Sequence, residues 1–154
     1  MEKTNVMRLL DAANIQYKAH EYDNTITDGC LVAKSLNEDP ESVFKTLVTK
    51  SNTKEHFVFC IPVNHSLNLK KAAKAVGAKN IVMIHQKELL PLTGYIHGGC
   101  SPIGMKKQFK TIINDTAMIF DEICVSAGKV GRQVQLNPEE LKNYINAEFI
   151  DIID

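Results

Sequence analysis

The sequence predicts an α+β (mixed α/β) fold: a single domain over residues 1–154, with a mixed, mostly antiparallel, curved sheet surrounded by helices. Three observations support this prediction. The 154 residues have the length of one domain. Their 44% apolar and 23% charged content is typical of globular proteins. Short β-rich runs are interspersed with segments of helical periodicity, and this order favours a sheet with helices packed around it.

Helix caps alternate with β-rich runs in the first half of the chain. Thr4 and either Thr27 or Asp28 can cap helices through their side-chain oxygens. In order, we expect a helix over residues 4–13, a strand over 15–22, a helix from 27 or 28 to 36, a helical turn over 40–43, and a hairpin with strands over 44–50 and 56–63. The second hairpin strand is almost wholly apolar, which predicts a central place in the sheet.

The second half of the chain has equally clear helix boundaries. Asn137 and Pro138 are typical of an N-cap and a first helical position, Gly77 is a typical helix end, and Pro91 is expected to end another helix. In order, we expect a helix over 67–76, a short buried strand over 81–84, a helix over 86–90, extended segments over 111–113, 117–120, 123–125 and 133–136, a helix over 138–146 and a strand over 148–153.

The charged residues are unevenly distributed, although the net charge is zero. Residues 70–110 contain eight lysines and a single acidic residue, Glu88. A local positive patch suits contact with one end of an RNA, whereas a neutral chain is poorly suited to coating DNA or RNA. We therefore expect a limited RNA contact and no DNA binding. The alternative reading is a solvated helix face.

The chain has no feature of a membrane or exported protein. Its longest apolar run, Phe57–Val63, is too short to cross a bilayer, and its first residues lack a signal-peptide layout. We therefore expect a cytoplasmic protein. Its cysteines (Cys30, Cys60, Cys100 and Cys124) are widely spaced, which predicts reduced thiols with no disulfide and no metal. No cofactor motif is present, so no cofactor is expected.

A glycine-rich loop over residues 94–104, with the sequence GYIHGGCSPIG, is the most distinctive local feature. Glycines permit close approach of another molecule to the main chain, and Pro102 restricts the backbone beside it. Such a loop can direct N–H groups at an anion or a carbonyl oxygen. A simple turn between strands is the alternative.

Several separate polar residues could converge on this loop: Tyr22, Lys45, Thr46, the Gly98–Gly99 backbone, Ser101, Ser126 and Lys129. Lys45 stands out because it follows Phe44 at the start of a strand with a buried face, where an ammonium group can hold a phosphate or polarise a carbonyl. A solvent-facing strand lysine is the alternative. Cys100 beside His97 suggests a nucleophile and base, but such partners are seldom neighbours in sequence.

Taken together, the motifs resemble the YbaK family, the free-standing relatives of the bacterial prolyl-tRNA synthetase editing domain. The matching stretches are His20-x-Tyr22-Asp23, Phe44–Leu47, Leu67–Ala73, Thr93–Gly104 with its Gly-Gly-x-Ser-Pro-x-Gly pattern, Val125–Lys129 and Ala147–Ile152. They occur in order and extend over the whole chain.

The resemblance implies hydrolysis of a mischarged aminoacyl-tRNA, chiefly cysteine on proline tRNA, in trans beside prolyl-tRNA synthetase. It implies that Lys45 is the principal functional residue and that Tyr22 and Ser126 line the pocket. We expect Thr46, beside Lys45, to bind substrate as well. The backbone of Gly98 and Gly99, with Ser101, would hold the terminal adenosine and the reacting carbonyl. Position 100 varies in the family pattern, which makes Cys100 a weaker candidate for the nucleophile.

The absence of an evident protein nucleophile leads to a hypothesis of substrate assistance. A cysteine thiol held beside its own ester carbonyl has a high effective concentration and could cyclise to a thiolactone. Three alternatives remain open at this stage: an alanine-specific deacylase, a non-catalytic tRNA or synthetase adaptor, and a thiol-dependent acyl hydrolase that uses Cys100.

Overall fold

The computed structural model describes residues 2–154, in which the strands are divided between two sheets. The strands are β1 (Tyr17–Glu21), β2 (Phe44–Ser51), β3 (His56–Pro62), β4 (Ile81–Met83), β5 (Lys110–Asn114), β6 (Ile123–Ser126), β7 (Arg132–Leu136) and β8 (Glu148–Ile150). The α-helices are α1 (Asn5–Ala12), α2 (Gly29–Ser35), α3 (Leu69–Val76), α4 (Gln86–Thr93) and α5 (Pro138–Tyr144), and short 3₁₀ helices cover Pro40–Ser42 and Asp115–Ile119. The predicted α+β class is confirmed. None of the helices in this part of the chain is both long and apolar enough to span a bilayer.

The larger sheet has five strands in the order β4-β2-β3-β5-β8. Its first three strands are antiparallel, whereas β5 and β8 join it in parallel, which makes the sheet mixed as predicted. Strand β3 lies at the centre, and its residues Val58–Ile61 have no exposed surface. Their continuous apolar character follows from burial on both faces.

The smaller sheet is antiparallel and has the order β1-β7-β6. Side chains alternate between its two faces. Val125 and Val134 point into the main apolar core, which also contains residues of α1. The opposite face carries polar side chains, among them His20, Gln133 and Ser126, which lie side by side in the strand register. We call this surface the polar face.

The two sheets meet at an isolated parallel bridge between Val43 and Cys124. Val43 precedes the first residue of β2, and Cys124 lies in β6. Both are buried and pack in one small apolar cluster with Ala33 and Val63. This bridge places the first residues of β2 beside the polar face.

Polar side chains cap the starts of four helices, and for Thr4, Asp28 and Asn137 this confirms the prediction from the sequence. The side chains of Thr4, Asp28, Asn68 and Asn137 each accept a hydrogen bond from a backbone N–H in the first turn of α1, α2, α3 and α5, respectively. Each cap satisfies a donor that the helix itself leaves free. Gly77 ends α3 in a left-handed conformation, as its sequence position predicts.

Three local predictions were wrong. Helix α4 does not end before Pro91 but continues to Thr93, because the left-handed Gly94 forms the C-terminal cap and donates to the Leu90 carbonyl. Residues 117–120 are not extended, since a 3₁₀ helix occupies most of them. Strand β4 is not buried throughout: Val82 and Met83 are exposed because β4 is an edge strand.

Candidate active site

A pocket of about 420 Å³ lies between the start of β2 and the polar face. The first turn of α2 and the glycine-rich loop complete its wall. Five of the seven predicted site residues line it: Tyr22, Lys45, Thr46, Gly98 and Ser126. These residues come from distant parts of the chain, and the fold brings them together. The volume is in the range typical of small-molecule sites.

Lys45 lies on the β2 wall of the pocket and is partly buried. The residue before it, Phe44, is anchored in the main core, which fixes the backbone at this point. The Lys45 Nζ atom lies 3.5 Å from the carbonyl oxygen of Val63. Within residues 2–154, Lys45 forms no salt bridge with a carboxylate. Its positive charge therefore remains available to an anionic or carbonyl group of a bound molecule.

Ser126 lies beside Lys45 because of the bridge between the two sheets. Lys45 is two residues beyond Val43, and Ser126 is two residues beyond Cys124, so both side chains follow the parallel bridge in the same direction. Ser126 is buried, and its Oγ accepts a hydrogen bond from the Gly128 N–H at 3.1 Å. The hydroxyl hydrogen of Ser126 is left to donate into the pocket.

Thr46 and Tyr22 occupy two further parts of the wall. Thr46 and Lys45 are consecutive in β2 and point to opposite faces, so the pocket lies against the edge of this strand. The Thr46 Oγ1 atom is 3.8 Å from the Sγ of Cys60. Tyr22 follows β1 and is held by its N–H, which donates to the Gly131 carbonyl at 2.9 Å.

The two central glycines of the loop have different environments. Gly98 lines the pocket with φ +86°, and a Cβ there would lie 3.0 Å from the Cγ2 of Thr27. Within residues 2–154, the Gly98 N–H has no hydrogen-bond acceptor. Gly99 lies outside the pocket wall. Its N–H donates to the carbonyl oxygen of Ile96, and a Cβ at this position would lie 3.0 Å from the backbone nitrogen of Val130. One backbone N–H of this pair is thus free, and it is that of Gly98.

Ser101 has an internal role in the loop. It is fully buried, and its Oγ accepts a hydrogen bond from the Ile103 N–H at 3.2 Å. Lys129 is exposed, and neither residue lines the pocket. Direct contact of Gly99 or Ser101 with a bound molecule therefore stays a prediction, and the structure favours a role in shaping the loop that presents Gly98.

Comparison with known proteins gives the family. The family model described as the aminoacyl-tRNA editing domain matches residues 28–144, which include most of the pocket wall. The chain belongs to this family. The resemblance to the YbaK proteins seen in the sequence is thereby confirmed.

Relatives of this editing domain extend over its whole length. A protein from Enterococcus faecalis (strain ATCC 700802 / V583), provisionally named Cys-tRNA(Pro)/Cys-tRNA(Cys) deacylase EbsC, is 44% identical over 98% of this chain and 93% of its own. A solved structure described as hypothetical protein APE2540 matches with a TM-score of 0.90 at 18% identity, covering 98% of this chain and all of the other. A structure provisionally described as a trans-editing enzyme for prolyl tRNA synthetase matches with a TM-score of 0.84 at 18% identity, covering 100% and 99%. At these identities the two structures establish the fold alone.

The thiol of Cys100 is part of the editing-domain pocket, but its environment disfavours nucleophilic attack. Burial raises the pKa of Cys100 to about 12. The reactive form of cysteine is the thiolate, which is scarce at neutral pH under these conditions. His97 also lines the pocket and is exposed, yet no hydrogen bond joins it to Cys100 among residues 2–154.

Several residues of the editing-domain wall were missed in the sequence, and three of them carry polar or thiol groups of interest. Asp28 and Cys30 come from the first turn of α2, and Gln133 comes from β7. The sequence did contain a signal for Gln133, because Gln-Val-Gln-Leu over residues 133–136 alternates as a strand with one polar face. The other two positions depend on the close packing of α2 against Val63, which sequence alone does not reveal.

A cluster of possible metal ligands lies on the polar face: His20, Glu38 and Cys124, with ligand atoms within 4.8 Å of one another. The His20 Nε2 is 2.7 Å from the Oε1 of Gln135, so one ring nitrogen already has a protein partner. Burial, with the charges of Glu38 and Glu122, raises the pKa of Cys124 to about 12 and opposes the thiolate that a metal would need. We therefore read this group as part of the polar surface beside the pocket, in which His20 is hydrogen-bonded to Gln135. The expectation of no metal stays a prediction.

Proposed function

We propose that the protein is an aminoacyl-tRNA deacylase that clears mischarged tRNA in trans, chiefly cysteine from proline tRNA. One observation carries the proposal: Lys45, whose ammonium has no carboxylate partner within residues 2–154, and Gly98, whose N–H is free there, line the same pocket. Two donors of this kind can stabilise the negative charge that develops on an ester carbonyl oxygen. The named activity of the E. faecalis relative supports this reading.

The tRNA terminus would enter with its ester carbonyl toward Lys45. The Gly98 N–H and the Ser126 hydroxyl would supply further hydrogen bonds to the carbonyl oxygen or the terminal ribose. Eight lysines over residues 70–110 are all exposed and would attract the phosphates of the acceptor end. We propose tRNA as the substrate, prolyl-tRNA synthetase as a partner, the cytoplasm as the site of action, and residues 1–154 as one editing domain.

The bond cleavage itself would be assisted by the substrate. The cysteine sulfur attacks its own ester carbonyl carbon, a C–S bond forms, and the C–O bond to the terminal ribose breaks. The thiol proton is transferred, through water, to the departing ribose oxygen, and cysteine leaves as a thiolactone that water then opens. The buried Cys100 thiol takes no part in this scheme.

The experiment is release of labelled cysteine from cysteinyl-tRNA(Pro) by wild type, Lys45→Ala and Cys100→Ala. We expect Lys45→Ala to lower kcat/KM by at least about 100-fold, since a charged donor to the transition state is lost. Cys100→Ala should stay within about 3-fold of wild type. Lys50→Ala, in the same strand but outside the pocket wall, is the matched control.

Other results would point to other functions. Loss only in the Cys100 variant indicates a thiol-dependent acyl hydrolase, and no release by wild type indicates a binding adaptor. Faster release of alanine than of cysteine indicates an alanyl-tRNA(Pro) deacylase. Equal rates on cysteinyl- and seryl-tRNA would exclude assistance by the substrate thiol, because serine has a hydroxyl in its place.

A further inference from the structure

The pocket wall contains a buried acceptor that has no partner. Gln133 lies in the middle of the polar face, paired with His20 on one side and Ser126 on the other. Its side chain lines the pocket and the residue is 6% exposed, and its Oε1 forms no hydrogen bond within residues 2–154. A buried acceptor without a donor is unfavourable, because it has lost its hydrogen bonds to water and gained none in return. Rotation of the side-chain amide toward the pocket would let this oxygen meet a donor in the ligand.

The charges around the pocket indicate which donor this is. An aminoacyl ester, the substrate class of the proposed function, carries an α-ammonium close to its carbonyl carbon. Lys45 would repel that ammonium from the β2 wall, where the carbonyl oxygen is held. Gln133 belongs to the other wall, offers an oxygen and carries no charge of its own. The two walls therefore fit the two polar ends of the aminoacyl group.

Asp28 is the other acceptor to be considered. It lines the pocket, but it is exposed, and its Oδ1 already accepts hydrogen bonds from the N–H groups of Cys30 and Leu31 as the cap of α2. An exposed carboxylate that is already hydrogen-bonded gains less from a new donor than a buried oxygen with no partner.

We propose that Gln133 binds the α-ammonium of the aminoacyl group and so fixes which way the ester lies relative to Lys45. This proposal rests on the proposed deacylase function. Gln133 acts here as a substrate-positioning residue: rotation of its amide about the last side-chain bond turns the oxygen toward the ammonium, and one charge-assisted hydrogen bond forms. Selectivity for a free amino group follows, because a substrate without it leaves the acceptor unpaired.

The test compares two substrates that differ only at this group. Cysteinyl-tRNA carries the ammonium, and 3-mercaptopropionyl-tRNA has a hydrogen in its place. For wild type we expect kcat/KM to be about 10- to 100-fold higher with cysteinyl-tRNA, after correction for the uncatalysed rates. In Gln133→Leu this preference should fall to within about 3-fold, while activity on the mercaptopropionyl ester is little changed.

Two further variants complete the test. Gln133→Glu keeps an acceptor oxygen and should keep the preference for the ammonium, and Asp28→Asn should leave it unchanged. Equal losses on both substrates in Gln133→Leu would overturn the proposal and indicate a structural role for Gln133. Loss of the preference in Asp28→Asn but not in Gln133→Leu would also overturn it and indicate that Asp28 binds the ammonium. Failure of wild type to release cysteine would refute the deacylase function instead. If Gln133→Leu does not fold, Gln133→Met replaces it, and an intact preference in either variant overturns the proposal.

Discussion

The Val63 carbonyl oxygen lies 3.5 Å from Lys45 Nζ and orients the ammonium group on the pocket wall. The same oxygen is 3.5 Å from the Sγ of Cys30 in the first turn of α2. Val63 is itself tied to the start of β2, since its N–H donates to the Val43 carbonyl at 2.9 Å. The position of the proposed catalytic lysine thus depends on a segment that also holds α2.

Cys30 is predicted to be the reactive thiol of this protein. It is exposed at the pocket wall, whereas burial raises the pKa of Cys60, Cys100 and Cys124 to about 12 in each case. At pH 7, N-ethylmaleimide should add once, at Cys30, and deacylation should fall by at least about 10-fold because the adduct fills the pocket. Peptide mass mapping and activity check this. Cys30→Ser should stay active and resist the reagent, and inactivation of that variant would contradict the prediction.

Gly29→Ala is predicted to destabilise the fold and to displace Val63. A Cβ at residue 29 would lie 2.5 Å from the Cγ1 of Val63, so α2 or the Val63 segment must shift. We expect a loss of about 1–3 kcal/mol in the free energy of unfolding, measured with urea. Activity of the folded variant should also fall, because the Val63 carbonyl orients Lys45. Lys34→Ala, at an exposed position of the same helix, should change neither quantity.

Glu41 is predicted to stabilise the Val63 segment in a pH-dependent way. Asn64 and His65 are the two residues after Val63, and their side chains are hydrogen-bonded to the Glu41 carboxylate. These hydrogen bonds, the one from Asn64 having the larger effect, lower the pKa of Glu41. The stabilisation is fully present above the pKa of Glu41 in the unfolded chain, about 4.3. It is lost as the pH falls through the lower pKa that Glu41 has in the folded protein. Because the Glu41 side chain is 39% exposed, Glu41→Gln should cost less than about 1 kcal/mol at pH 7.

The Glu41 prediction is checked by urea unfolding of both proteins between pH 2 and 7. The difference in unfolding free energy should shrink below about pH 4, where the carboxylate becomes protonated. A difference that is constant over this range would indicate a packing effect of the substitution instead.

Charge reversal beside the glycine-rich loop is predicted to weaken binding of the tRNA. Lys106 packs against Gly94, and Lys107 follows it in the exposed part of the same segment. For the Lys106→Glu/Lys107→Glu variant we expect a rise in Kd for tRNA of about 10-fold or more at low salt, and a shallower dependence of log Kd on log salt. Lys54→Glu, outside the lysine-rich segment, is the control. An unchanged salt slope would show that these lysines do not contact phosphates.

The sequence predicted the helix boundaries best where it contains a residue type that caps helix N-termini. Asp28 and Asn137 each accept first-turn N–H groups, which is a local interaction that residue type strongly favours. Residues 117–120 were predicted as extended because a short apolar run is equally compatible with either structure. Met118 and Ile119 are in fact exposed in a 3₁₀ helix, and only the tertiary packing decides this.

For the site, the sequence identified candidate residues but not which of their polar groups are already hydrogen-bonded within the protein. Gly98 and Gly99 look alike in the sequence, yet one N–H is free and the other is bonded to Ile96. Ser101 was expected to contact substrate, and its place in a buried turn depends on the path of the whole loop. Gln133 was overlooked because its lack of a partner is a property of the assembled sheet.

The bridge between Val43 and Cys124 also has a consequence for folding. It joins segments separated by about 80 residues, and closure of so long a loop is slow and entropically costly compared with forming hairpins or helices. The pocket has no complete wall until this closure occurs. In a refolding experiment, recovery of deacylase activity should therefore lag behind recovery of secondary structure, and a nascent chain should be inactive until β6 and β7 have left the ribosome.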